Sequence, residues 1–206
     1  MIDAQTALVQ LREGNRRFAS GQSTLERTLT HKRRVELLDE QRPFAIVLGC
    51  SDSRAPAEIV FDQGLGQLFV IRVAGNIVAP SLVGSVEFAA EQFGTRLVVV
   101  LGHTQCGAVS ATIDALTHPA DTWSHNLRSI VNRIRPSVES LMTTELRNDH
   151  DALVAQAVRA NVRTSADQLR HGSEVLENLI AHHGLVVVGA EYSLQTGIVD
   201  FFDGEV

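Results

Sequence analysis

Residues 44–54 read FAIVLGCSDSR and residues 97–109 read LVVVLGHTQCGAV. Each begins with a short, unbroken run of Val, Ile or Leu, reaches a glycine, and passes at once into polar and chemically reactive side chains. A run that apolar has no face to offer water, so it reads as a strand covered on both sides. LFVIRV at 68–73 and LVVVGA at 185–190 have the same character. Helical spacing fills the intervals. Val83, Val86, Phe88, Ala89, Ala90 and Phe93 give one stretch helical character, and Leu153, Val154, Ala157, Val158, Val162 and Leu169 fall at helical spacing in another. The second of these stretches opens on Asp151, a residue suited to an N-cap, and ends at Gly172. Strands alternating with helices imply an α/β fold, with a mostly parallel central sheet of four to five strands flanked by helices.

Residues 1–40 hold no strand pattern. Leu8, Leu11 and Phe18 give them one or two amphipathic helices, a helical arm that must pack on its own domain or on a partner subunit, the latter being the expectation. Residues 117–150, with Trp123 and Pro136, are expected to form loop plus helix. No repeat or linker divides the chain, so 1–206 reads as a single domain.

The 206 residues carry a formal net charge of −6, which leaves no basic excess to neutralise phosphates and argues against nucleic acid. His31-Lys32-Arg33-Arg34 is followed by Glu36, Asp39 and Glu40 and reads as a solvated helix face. No apolar run is long enough to span a membrane, and the first residues carry no secretory pattern. A cytoplasmic protein is expected. There, two cysteines are poor candidates for a disulfide and are buried thiols, redox thiols or metal ligands.

Both cysteines follow buried strands. Cys50 comes directly after FAIVLG, and Cys106 comes shortly after LVVVLG with His103 between. Ligands in open α/β sheets bind where loops leave the carboxyl ends of strands. Two thiols and an imidazole delivered there make a Cys2His set, which suits zinc and leaves a fourth position open. Ordinary buried cysteines beside a capping histidine fit the same spacing. Asp52 and Arg54 tilt the balance, because an Asp held by a guanidinium stays ionised and oriented beside the first sulfur.

CSDSR at 50–54 and GHTQCGAV at 102–109 resemble the two signature segments of β-class carbonic anhydrases, and the stretch from Phe61-Asp62 through Leu68-Phe69-Val70-Ile71-Arg72 to Ala74-Gly75-Asn76 follows the same pattern. The resemblance is detailed from about Gln41 to Val109. It implies reversible hydration of carbon dioxide to bicarbonate and a proton by attack of a zinc-bound hydroxide. One Zn2+ per subunit would be held by Cys50, His103 and Cys106. It implies an Asp52–Arg54 dyad, with Asp52 orienting the bound water or replacing it in a closed state. It also implies a substrate pocket of Gln41, Phe69, Ala74 and Phe88, as in the plant-type subgroup, with several pocket residues supplied by a neighbouring subunit in a homodimer or homotetramer. Gln67 and Val73 depart from the family's usual acidic residue and Asn, which bears on loop packing. Val47 is not the tryptophan of the subgroup with an inhibitory bicarbonate pocket. A carbonyl sulfide or carbon disulfide hydrolase on the same scaffold, or a zinc-binding or redox protein without turnover, are the alternatives.

His182-His183 before Gly184 reads as a helix end rather than a metal pair, because adjacent histidines on a helix diverge. His118, His125, His150 and His171 have loop or helix-end settings, and Trp123 reads as packing.

Overall fold

A computed structural model describes residues 2–118 and 123–204. Helix α1 (Ala4–Ala19) opens on Asp3, whose carboxylate accepts the Thr6 N–H at 2.7 Å, and is followed by the short helices α2 (Leu25–Thr28) and α3 (His31–Glu36). Then come β1 (Ala45–Cys50), α4 (Ala57–Val60), β2 (Leu68–Val73), a 3-10 turn at Ala74–Asn76, and α5 (Pro80–Gln92). The second half holds β3 (Leu97–His103), α6 (Gly107–Thr117), α7 (His125–Glu139), α8 (His150–His171), α9 (Glu174–His183), β4 (Val186–Tyr192) and β5 (Val199–Asp203).

The sheet order is β2-β1-β3-β4-β5, with every pairing parallel except β4 with β5. The apolar runs at 44–49, 68–73, 97–102 and 185–190 are thus its four parallel strands. Alternation along each strand sorts the core. Ala45, Val47, Leu97, Val99 and Leu101 face the side covered by α1 and α4, while Ile46, Leu48, Val98 and Val100 face α5, α8 and α9. A third cluster joins Cys50 and Cys106 to α6, α7 and the start of α8.

Three local differences from the sequence reading have clear causes. The fifth strand, VDFFD, is short and lies at an antiparallel edge, so it lacks the continuous apolar run that marks a buried strand. Helix α8 is capped by Asp149 rather than Asp151. Asp149 is in extended conformation with its carboxylate on the Ala152 N–H at 3.1 Å, and Asp151 already lies in the first turn, where its charge suits the helix dipole. Helix α1, finally, is seated on its own chain: Ala4, Ala7, Leu8 and Leu11 are buried against the sheet. Val9 of the same helix is 43% exposed, and Leu29, Val35 and Leu38 in the rest of residues 1–40 are half exposed or more.

His31–Glu36 buries no residue within the chain. His182 and His183 end α9 against a left-handed Gly184, and Gln67, one of the departures, accepts the Gly64 N–H at 2.5 Å. Among the described residues no helix is long and apolar enough to cross a membrane.

Candidate metal centre

The chain leaves β1 for β2 on one side of the sheet and leaves β3 for β4 on the other, so the loops beyond these two neighbouring strands diverge and open a crevice. Cys50 is the last residue of β1 and His103 the last of β3. Gly49 pairs with Leu101, which sets the two strand ends side by side. Gln105 then takes a left-handed φ of 56°, and the turn brings Cys106 back over the strand end as the N-cap residue of α6. The two sulfurs and an imidazole nitrogen of His103 lie within 4.8 Å of one another, all on buried residues.

His103 shows which nitrogen is offered. Its Nδ1 lies 3.0 Å from the Thr104 carbonyl, which can only accept, so Nδ1 carries the proton and Nε2 presents a lone pair. That Nε2 is fully buried and has no partner among the described residues. An unpaired buried nitrogen of this kind costs on the order of 1–3 kcal/mol unless something fills the gap. A metal ion would fit: the donors are two thiols and an imidazole nitrogen, a borderline-soft set suited to zinc.

The electrostatics agree. Cys50 is held well below the usual thiol range, first by the hydrogen bond it accepts from Cys106 and then by His103 and the Gly75 N–H, against the effect of burial. The same contact, with burial, pushes Cys106 up. Burial works against a charged His103, yet its contacts with Cys50 and Asp52 raise it overall. A dication bound there would displace the thiol protons.

Asp52 and Arg54 are joined as the sequence suggests. Asp52 Oδ1 accepts the Arg54 N–H and Nε at 2.9 Å each, and Oδ2 accepts the terminal guanidinium nitrogen at 2.7 Å. The fork holds the Asp52 carboxyl far below the usual carboxylate range. Its Oδ2 stands 3.8 Å from His103 Nε2, beside the donor cluster.

The pocket residues divide. Ala74 adjoins Gly75, whose N–H donates to the Cys50 sulfur at 3.3 Å. Gln41, Phe69 and Phe88 lie elsewhere. β1 alone separates Ala45 from Cys50 by roughly 17 Å at about 3.3 Å per residue, and Gln41 precedes it. Phe69 pairs with Ile46 near the start of β2 and clusters with Phe88 and Phe93, at centroid distances of 6.3 and 5.9 Å. Gln41 lines a surface groove of about 1300 Å³ with Leu37, Leu38, Phe44 and Phe93. One chain therefore does not bring these three to its own sulfurs.

Sequence reasoning assigned no role to Arg72. From β2 it donates to the Cys50 carbonyl at 3.0 Å and the Asp52 carbonyl at 2.6 Å, pinning the loop that carries ligand and dyad. Its signal was a single charge inside an otherwise apolar strand.

Comparison with known proteins places this geometry. Residues 45–199 match the family model described as "Carbonic anhydrase". The chain is 40% identical to a carbonic anhydrase of Mycolicibacterium smegmatis, over 92% of this chain and 89% of that protein. It is 37% identical to carbonic anhydrase 2 of Mycobacterium tuberculosis, over 91% and 87%. Among solved structures, the fold matches the β-carbonic anhydrase CafA of Aspergillus fumigatus with a TM-score of 0.75 at 24% identity, covering 97% of this chain and 90% of that one. It matches a tetrameric β-carbonic anhydrase of Sordaria macrospora with a TM-score of 0.74 at 23% identity, covering 84% and 87%. With its buried Cys-His-Cys cluster at the mouth of a mostly parallel sheet, the chain belongs to the β-class carbonic anhydrase family.

Proposed function

We propose that this protein catalyses the reversible hydration of carbon dioxide to bicarbonate and a proton, using one zinc ion per subunit held by Cys50, His103 and Cys106. The observation that carries the reading is the buried His103 Nε2, without a hydrogen-bond partner among the described residues, beside two sulfurs and an ionised Asp52.

Zinc bound there supplies Lewis acidity, which lowers the pKa of a water to about 7. The chain does the rest. Asp52 has both oxygens engaged by Arg54, which turns the carboxylate and keeps it charged. A lone pair on Oδ2 remains to accept a hydrogen bond from the attacking water and so aim its oxygen. Arg72 fixes the backbone on which Cys50 and Asp52 ride. Ala74 supplies an apolar wall for a small apolar substrate.

Gln41, Phe69 and Phe88 complete the pocket from a second copy of the chain, the amide of Gln41 donating to a substrate oxygen. Their position at the far end of the sheet supports this reading, as does the exposed apolar surface of α2, α3 and the following loop, the part of the arm that would pack on the partner subunit. The smallest active unit is then a homodimer, with a homotetramer as its doubling. A cytoplasmic setting suits the pair of thiols, which a reducing compartment keeps ready for metal.

The test is zinc content together with stopped-flow hydration. The expected result is one zinc per chain and rapid turnover of carbon dioxide. A zinc-loaded protein with no hydration, or one that turns over carbonyl sulfide or carbon disulfide instead, overturns the assignment.

A further inference from the structure

Asn161 is a polar residue in the middle of α8, on the face that packs against the sheet, and it is 1% exposed. Its neighbours on that face are Ala157, Val158, Val162 and Ala166, all buried. An amide in such a place has to be held, and this one donates from Nδ2 to the Gly75 carbonyl at 2.8 Å, across 86 residues of sequence. Gly75 in turn donates its N–H to the Cys50 sulfur at 3.3 Å.

Gly75 cannot set its own pose. At φ 71° it occupies a region that glycine enters freely and leaves as freely. A side chain at this left-handed φ would be strained, and its Cβ would press on Ile134 Cδ1 at 2.7 Å and Ala108 Cβ at 3.1 Å. The direction of its N–H is therefore decided from outside, and the Asn161 amide grips the peptide on the other side of the same α-carbon.

We propose that Asn161 is a positioning residue for the metal centre: by holding the Gly75 carbonyl it aims the Gly75 N–H at the Cys50 sulfur. That hydrogen bond draws charge from one of two strongly donating ligands and fixes where it points. Groups that orient metal ligands in this way are typically worth 10–100-fold in metal affinity. The inference rests on the zinc reading above.

The experiment compares wild type, Asn161→Ala and Leu169→Ala. Leu169 lies on the same helix, is fully buried, and has no link to Gly75. For each protein the zinc dissociation constant and the thiolate-to-metal charge-transfer band of the cobalt-substituted form are measured. Asn161→Ala is expected to weaken zinc by on the order of tenfold and to shift the band. Leu169→Ala is expected to lower thermal stability while leaving both unchanged. Equal effects of the two substitutions, or zinc binding by Asn161→Ala as tight as by wild type, would overturn the proposal. Should Asn161→Ala not fold, wild-type protein loaded with a spin-active cadmium isotope decides. A through-hydrogen-bond coupling between the metal and the Gly75 amide proton, together with one between the Asn161 amide and the Gly75 carbonyl, supports the proposal, and absence of either overturns it. Wild type that takes up no metal at all would instead defeat the zinc reading itself.

Discussion

At the scale of single residues, the His103 ring has its orientation fixed from behind by the Thr104 carbonyl, which frees Nε2 for metal. Cys50 and Cys106 are not interchangeable with oxygen donors, because serine is a poor ligand for a borderline-soft ion. Cys106→Ser should lose most zinc and nearly all hydration; metal analysis and stopped-flow rates check this, and full retention of both would remove Cys106 from the ligand set. The Asp52–Arg54 pair depends on a fork rather than on charge alone. Lysine keeps the charge and loses the two-pronged grip. Arg54→Lys should therefore keep its zinc while kcat/KM falls by roughly ten- to a hundredfold, and an unchanged rate would show that the second prong is idle. The Asp52 carboxyl titrates far below the ordinary carboxylate range, so it stays ionised at neutral pH. Hydration should then rise from neutral into mildly alkaline pH, as the attacking water loses its proton near a pKa of about 7. A flat profile over that window would contradict it.

At the scale of elements, the contact of α1 with α4 shows how tightly the N-terminal helix is seated. A Cβ on Gly14 would come within 1.8 Å of the Phe61 carbonyl oxygen, so α1 lies against backbone there. Gly14→Ala should cost about 3 kcal/mol or abolish folding, since backbone gives way less readily than side chain; denaturant titration measures it. Beside this contact, the fully buried Asp62 side chain accepts hydrogen bonds from Arg17 Nε, Ser23 Oγ, and the Thr24 N–H and Oγ1, at 2.5–3.0 Å. Burial raises its pKa, but the bonds from Ser23, Arg17 and Thr24 outweigh burial and leave it lowered. A carboxyl depressed in the folded state stabilises fully above its unfolded pKa of about 3.9 and loses that contribution as pH falls through its folded value. Asp62→Ala should cost about 2–3 kcal/mol near neutral pH, because four donors lose their acceptor. The difference from wild type should shrink in acid, and a gap that is constant with pH would argue against an ionised Asp62.

At the scale of the whole molecule, the two halves of the proposed pocket lie at opposite ends of one sheet. This gives a test by mixing. Cys106→Ser chains keep Gln41 but lose the metal, and Gln41→Ala chains do the reverse. If sites are shared between copies, refolding the two together creates sites that take metal ligands from one chain and Gln41 from the other. Hydration by the mixture should exceed the sum of the separately refolded parents. No gain in a mixture shown to contain hybrid dimers would remove Gln41 from the substrate pocket.

The alternation of apolar runs with helical stripes determined the α/β class, the four parallel strands and the loops that carry chemistry, because a strand covered on both faces must be continuously apolar and its ends must turn polar. The Cys-Ser-Asp-Ser-Arg and His-Thr-Gln-Cys segments stood out because reactive residue types gather at the ends of such strands, while their reading as a zinc set came from the resemblance to the family. The edge strand β5, the roles of Arg72, Gly75 and Asn161, and the seating of α1 were decided only in three dimensions. Each depends on a partner distant in sequence: Asn161 reaches Gly75 across 86 residues, and Asn15 of α1 bonds the Val199 N–H across 184. Local pattern records which face of an element is apolar. It does not record what that face meets, because the meeting is settled by strand order and crossover direction, and these follow from how the whole chain packs.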